Sequence, residues 1–167
     1  MFYKFVAYLK FILTSTNQHG VHSPFIYDFV TKCLYKKSEF KGVKTIRTLL
    51  KSIAYFKAKK VHINSRNNHI QSEVKDFFPQ LEFDDHPYDI MYMDWPNAEL
   101  FHGGIEDNLF HNNTMILVNN IHQNKANSDI WELIKGNEKV NVSVDMFLCG
   151  VLFLRREQVK EHFKIRI

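Results

Sequence analysis

The spacing of apolar residues predicts three amphipathic helices in the first third of the chain. The first, Phe2 to Thr14, places six apolar side chains on one broad face and leaves Lys4 outside it. The second begins at Ser23-Pro24, because serine caps helices and proline fits their first turn. The third carries apolar residues at helical spacing from Ile46 to Ala54. We therefore expect residues 1–60 to form a helical N-terminal cap.

After residue 60 the pattern changes to short apolar runs that alternate with helical stretches. The runs predict buried strands at 61–63, 81–83, 89–94 and 114–118. The stretches between and after them predict helices at 70–78, 98–110 and 128–135. The pair Gly103-Gly104 predicts a break in the second of these helices, because each glycine costs about 1 kcal/mol relative to alanine.

The last part of the chain has the two-residue alternation of an antiparallel hairpin. Apolar residues alternate from Val140 to Val144, a turn is predicted at Phe147 to Gly150, and an apolar strand follows at 151–154. The tail from Phe163 to Ile167 alternates again and is predicted to add to a sheet edge. The fold class predicted is α/β. Residues 61–167 form a Rossmann-like, mostly parallel sheet that ends in an antiparallel hairpin, in one compact unit with the cap.

Charge is distributed unevenly between the two parts. Residues 1–60 hold twelve Lys and Arg against two acids, a net charge of +10, and the remainder holds ten against sixteen, a net charge of −6. A basic segment suits nucleic acid, an anionic membrane or an acidic partner. We favour a solvated helical surface that lies against the acidic part, because no aromatic–basic nucleic-acid motif accompanies the charge. No nucleic-acid partner is therefore expected.

The cysteines and histidines predict neither a disulfide nor a metal site. Cys33 and Cys149 form no pattern with each other or with any histidine, so we expect buried thiols of a reducing compartment. The apolar stretch from Phe2 to Leu13 is too short to span a bilayer and precedes no cleavage site of a signal peptide. The prediction is a cytoplasmic protein with no transmembrane segment and no metal.

Three blocks of sequence carry a resemblance to a known family. They are Asn17 to Phe25, the tail from Val144 to Ile167, and the weaker match Asn119 to His122. With the order of elements, they resemble the class I S-adenosylmethionine-dependent methyltransferases. Within that class the chain is similar to a methyltransferase-like group of O-methyltransferase type from Bacteroidetes. The resemblance implies a cofactor bound where the first strand turns into its helix.

The chain departs from this family at the positions that would hold the cofactor. The resemblance implies a glycine-rich loop after the first strand, but the chain has Asn64 to Asn68 there, and no glycine lies between Gly42 and Gly103. It implies a ribose-binding acid that ends the second strand, for which only Glu82, Asp84 or Asp85 are available. It also implies a helix–strand unit that only His86 to Tyr88 replaces. These losses predict a shortened and degenerate cofactor half.

Seven residues are nevertheless candidates for a site at the carboxyl ends of the strands. Asp94 follows a buried strand where open α/β sheets bind ligands, and it is the acid that the family retains. The same position also suits a carboxylate that caps the next helix. His122 lies beyond the next strand and is either a second catalytic group or a surface histidine. By assigned role, the candidates are Asp94 and His122 as catalytic residues, Asn64, Ser65, Arg66 and Asp94 for the cofactor, and Asn119, Asn120 and His122 for the substrate.

Two functions from different classes follow from these residues. The first is a degenerate methyltransferase-like protein without S-adenosylmethionine, which acts as a homodimer or on a protein partner through its N-terminal helices. The second is an active S-adenosylmethionine-dependent O-methyltransferase on a small acceptor, in which Asp94 and His122 orient the acceptor. The basic, aromatic-rich first helix also suits attachment to a membrane surface.

Overall fold

For residues 2–167, a computed structural model shows a seven-stranded sheet with helices on both faces. Its strands are β1 (Lys60–Asn64), β2 (Glu82–Phe83), β3 (Tyr88–Met93), β4 (Phe110–Asn119), β5 (Val142–Asp145), β6 (Cys149–Phe153) and β7 (Glu161–Lys164). They lie in the order β2-β1-β3-β4-β6-β5-β7, and within this sheet only β6 runs antiparallel to its neighbours. The predicted Rossmann-like fold class is confirmed.

The helices begin and end close to the positions that the apolar spacing predicts. They are α1 (Phe2–Thr14), α2 (Pro24–Asp28), α3 (Lys44–Phe56), α4 (Asn68–Phe77), α5 (Ala98–Glu106) and α6 (Lys125–Gly136). A π-helical turn, Phe29–Leu34, continues α2. The cap at Ser23 is confirmed, since its Oγ accepts a hydrogen bond from the Ile26 amide at 3.4 Å.

The central strands are covered on both faces, as their continuous apolar runs predict. In β3, Ile90 and Tyr92 face a core that α2, α3 and α4 share. Met91 and Met93 alternate with them and face the second core, which includes Phe101 of α5 and Trp131 of α6. Burial on both sides fixes the register of β3, because a slip of one residue would exchange its two faces.

Two local predictions are wrong. Helix α5 runs through Gly103-Gly104 without a break. At Gly104 the missing side chain is needed, since an added Cβ would lie 2.6 Å from the Cε2 atom of Phe110, so packing outweighs the low helix propensity. The hairpin turn is also shorter than predicted: Cys149 and Gly150 belong to β6, and Phe147, at φ 69°, makes the turn.

The broad apolar face of α1 points away from the protein. Within Phe2–Thr14 only Phe11 is buried, whereas Phe2, Phe5 and Leu13 are exposed at 81%, 59% and 84%. The chain after α1 is attached to the tail of β7, where Thr16 pairs with Ile165 in a parallel bridge. The predicted edge strand of the tail is confirmed, because β7 pairs in parallel with β5.

Candidate functional site

The carboxyl ends of β1 and β3 meet at the point where the strand order reverses. From β1 the chain goes to β2 on one side, and then to β3 on the other side. Open α/β sheets bind ligands in the crevice at such a point. Asn64 ends β1, and its carbonyl accepts a hydrogen bond from the Asp94 amide at 3.1 Å. The predicted loop of residues 64–66 and Asp94 therefore lie side by side.

The carboxylate of Asp94 receives a hydrogen bond from within the protein on each oxygen. Ser65 Oγ donates to Oδ2, and the Tyr92 hydroxyl donates to Oδ1 at 2.7 Å. Burial raises the pKa of Tyr92, and its hydrogen bond to Asp94 adds to the effect, so the phenol remains a donor. Asn120 Nδ2 donates to the main-chain oxygen of Asp94 at 3.0 Å. Together these bonds join the ends of β1, β3 and β4.

The two loops that border the crevice touch each other directly. The guanidinium carbon of Arg66, after β1, lies 4.9 Å from the ring centroid of Trp95, after β3. Asn67 Oδ1 accepts from the His69 amide at 3.0 Å and caps α4, while the Asn67 amide donates to Ser65 Oγ at 2.9 Å. None of residues 64–68 has a positive φ. The side chains of Ser65, Arg66 and Asn67 are thus engaged in local structure.

The two asparagines at the end of β4 bond to different parts of the protein. Asn119 Oδ1 accepts from Thr45 Oγ1 at 2.9 Å, which ties β4 to α3. Asn120 leaves the strand with φ 58°, a left-handed conformation that asparagine tolerates better than most residues. Its side chain reaches Asp94, and its carbonyl accepts from Asn127 Nδ2 at 2.8 Å. Asn120 thus bonds to Asp94 directly, whereas Asn119 meets the crevice network at the Tyr92 hydroxyl, whose pKa it lowers.

His122 lies in a separate cluster with two residues that the sequence analysis missed. Its Nε2 is 2.7 Å from Asp145 Oδ2, and its Nδ1 is 2.9 Å from Ser128 Oγ. The His122 and Asp145 side chains are only 15% and 5% exposed. Phe147 stacks on the imidazole with the ring centroids 5.4 Å apart. The one available signal was Asp145 at the end of a strand, on the same sheet edge as Asp94.

Serine, histidine and aspartate in one hydrogen-bond chain form the catalytic triad of many hydrolases, in which the histidine takes the serine proton and the aspartate orients the imidazole. Here the serine hydroxyl also lies 3.0 Å from the carbonyl oxygen of Ile121, and Ser128 is buried in α6. A cavity of about 260 Å³ adjoins the cluster, with α1 forming one wall. The arrangement links β4, β5 and α6, and the Ser128 hydroxyl donates to Ile121 rather than to the imidazole, so the histidine does not activate it as a nucleophile.

Asp94 and His122 thus belong to different networks. Among residues 2–167 no hydrogen bond joins the Asp94 group to the His122 group. The same residues contain no group of three or more histidines, cysteines or acids that could hold a metal ion. The predicted joint role of Asp94 and His122 in orienting an acceptor stays a prediction.

Two of the three acids considered for ribose binding, Asp84 and Asp85, are engaged at the edge of the sheet. Asp84 Oδ1 lies 2.6 Å from His62 Nδ1, and Asp85 Oδ2 lies 2.7 Å from Lys60 Nζ. Both pairs connect the short strand β2 with β1. The carboxylates of both pairs are exposed, and exposed ion pairs contribute little to stability.

Comparisons of the chain with family models, with curated proteins and with solved structures find no match in any of the three. In the described part of the chain, no helix has both the length and the apolar character needed to cross a bilayer. The fold and the site therefore define the class of this protein as a Rossmann-like α/β sheet with a helical N-terminal extension.

Proposed function

We propose that this protein is a methyltransferase-like module that no longer binds S-adenosylmethionine and acts by associating with a second copy of itself through α1. The observation that carries the first half is the contact across the crevice. Arg66 lies on Trp95, and Ser65 and Tyr92 both bond to Asp94. A cofactor seated at the end of β1 would have to separate these groups.

The differences between this chain and the methyltransferase family that it resembles support the loss of the cofactor. The family implies a glycine-rich turn that lets the ligand approach the main chain, and residues 64–68 carry β-carbons throughout. It also implies a further helix–strand unit after β2, whereas β2 here has two residues and stands at the edge of the sheet. The losses fall on one ligand, which supports loss of binding rather than scattered drift.

The outward face of α1 supports the second half of the proposal. A phenylalanine offers roughly 200 Å² of surface, so Phe2 and Phe5 together expose about 280 Å². Leu9, Ile12 and Leu13 are exposed on the same helix. With these residues added, the exposed apolar area is comparable to the largest patch of a typical monomer, and such a patch is often functional. Two copies of one apolar helix can cover each other across a two-fold axis.

Sedimentation velocity over a range of protein concentrations tests the association. The wild-type chain should form dimers, and Phe5→Ser or Leu9→Ser should shift it to monomer because each removes apolar area from the contact. Val159→Ser is the matched control, since Val159 is 84% exposed in the segment before β7 and should leave the dimer intact. A wild-type protein that stays monomeric at all concentrations would overturn self-association. Dimers that resist both α1 substitutions would overturn the role of α1.

Calorimetric titration with S-adenosylhomocysteine tests the loss of the cofactor. We expect no saturable heat with the wild-type protein. Saturable binding that is weakened by Asp94→Asn would instead favour the alternative, an active S-adenosylmethionine-dependent O-methyltransferase on a small acceptor. That alternative has one observation in its favour, the acid Asp94 at the carboxyl end of β3.

A further inference from the structure

A concentration of positive charge lies away from the crevice, along one side of α3. It surrounds a cavity of about 360 Å³ between α3 and the segment that follows the π-helical turn. Five cations line it: Lys36, Lys37, Lys44, Arg47 and Lys51. The last three share one face of α3, because positions three and four apart are neighbours on a helix. Much of the excess positive charge of residues 1–60 therefore collects at one place.

The positive charge of this basic cavity is not balanced by acidic side chains. No aspartate or glutamate side chain lines the cavity, and none of the ion pairs formed within residues 2–167 includes any of the five cations. Burial lowers the pKa of Lys51, and the adjacent charge of Arg47 adds to this. A concave surface of one sign raises the local concentration of ions of the opposite sign.

Two of the cations are fixed in place by the main chain. Lys44 Nζ donates to the main-chain oxygen of Ile167, and Lys51 Nζ donates to the Leu34 carbonyl. In contrast, the side chains of Lys36, Lys37 and Arg47 make no hydrogen bond within residues 2–167. The cavity thus combines two anchored ammonium groups with three cations that are available to a ligand.

We propose that this basic cavity binds a small molecule carrying an oligophosphate group. Each phosphate brings one to two negative charges and several strong acceptor oxygens, so two or three phosphates match five cations. The guanidinium of Arg47 can hold a phosphate through two parallel hydrogen bonds. The volume equals roughly twelve water molecules, which suits a chain of two or three phosphates.

A neighbouring cavity offers room for an organic part of the ligand. It has a volume of about 200 Å³ and shares Lys36, Lys37 and Lys51 with the basic cavity. Phe40 and Tyr55 also line it and present aromatic surface. A ring attached to the phosphates would contact these side chains, whereas inorganic oligophosphate would leave them untouched. This site is independent of the proposed loss of S-adenosylmethionine and of association through α1.

Calorimetric titration of the full chain with inorganic tripolyphosphate tests the proposal. We expect saturable binding that weakens as salt rises, because the contact is ionic. The double variant K36Q/K37Q changes two exposed side chains and should weaken binding about tenfold or more. The matched control is K59Q/K75Q, which removes the same charge from two exposed positions outside the cavity and should leave the affinity unchanged.

Three results would overturn the proposal. The first is the absence of saturable heat with tripolyphosphate. The second is equal weakening in the cavity variant and in the control, which would mean a general charge effect. The third is a DNA duplex that binds more tightly than tripolyphosphate and loses this binding in K36Q/K37Q, which would assign the cations to nucleic acid. A parallel titration with adenosine triphosphate distinguishes the sources: tighter binding than tripolyphosphate, lost in Tyr55→Ala, assigns the ring to the second cavity, and equal binding assigns the site to the phosphates alone.

Discussion

Replacing Tyr92 by phenylalanine removes a single hydroxyl group and tests whether Asp94 holds the ends of the strands together. Tyr92 is fully buried, and its hydroxyl donates to Asp94 Oδ1 at 2.7 Å. A hydrogen bond to a charged acceptor contributes roughly 1.5–3 kcal/mol, and the acceptor left unsatisfied adds to the loss. We therefore expect the free energy of unfolding to fall by about 2 kcal/mol in Tyr92→Phe.

Urea denaturation of a double-mutant cycle measures the contribution. The cycle consists of Tyr92→Phe, Asp94→Asn and the double variant, and the two substitutions should be clearly non-additive because the residues are in direct contact. Tyr35→Phe is the matched control. The Tyr35 hydroxyl donates to the main-chain oxygen of Arg166 at 2.8 Å on an exposed surface, so its removal should cost about 1 kcal/mol or less.

A rise in the free energy of unfolding in Asp94→Asn would refute this reasoning. Groups kept for binding or catalysis are commonly held at a cost to stability, so their replacement stabilises the fold. If Asp94→Asn raised the free energy of unfolding, Asp94 would be a poised functional acid rather than a link between β1 and β3. Additive effects of Tyr92→Phe and Asp94→Asn would likewise show that the two groups do not depend on each other.

Three further predictions concern Gly150, Asp89 and the two cysteines. Gly150→Ala should cost about 1–3 kcal/mol in urea denaturation, since the added Cβ would lie 2.6 Å from Trp131 Cζ2. Burial alone would raise the pKa of Asp89, but hydrogen bonds from the amides of residues 59–60 and from His111 lower it. The resulting stabilisation is present above the unfolded pKa of about 4 and is lost as the pH falls. Asp89→Asn should therefore make the free energy of unfolding less dependent on pH in the acid range. Burial raises the pKa of the two cysteine thiols to about 11 and about 12, so both should react with a thiol reagent at pH 8 only after unfolding.

The elements that could be predicted from the sequence are those whose signal is local. The continuous apolar run of β3 and the Ser23-Pro24 helix start need only neighbouring residues to be recognised, and both are confirmed. The helix break at Gly103-Gly104 was wrong because the deciding partner, the Phe110 ring, comes from the following strand. Propensity is a weak term, and one tertiary contact outweighed it there.

The candidate site divides in the same way. The positions of Asp94 and Ser65 after the ends of two strands follow from the order of elements, and the structure places the two side chains in contact. The partners of His122 could not be deduced, because Asp145 lies 23 residues away and depends on the pairing of β5. Periodicity also shows that α1 has an apolar face without showing whether that face meets the protein or solvent.

Helix α1 covers the carboxyl ends of the strands in the second half of the sheet. Tyr8 and Phe11 pack on Phe147 with ring centroids 4.9 and 5.5 Å apart, and Phe147 stacks on His122. The helix therefore rests above the carboxyl ends of β4 and β5, while Arg66 and its aromatic partner cover those of β1 and β3. Open α/β sheets receive ligands along this edge. The protein's own aromatic residues therefore occupy both halves of this edge, and the sheet serves as the platform for α1, whose apolar face is exposed.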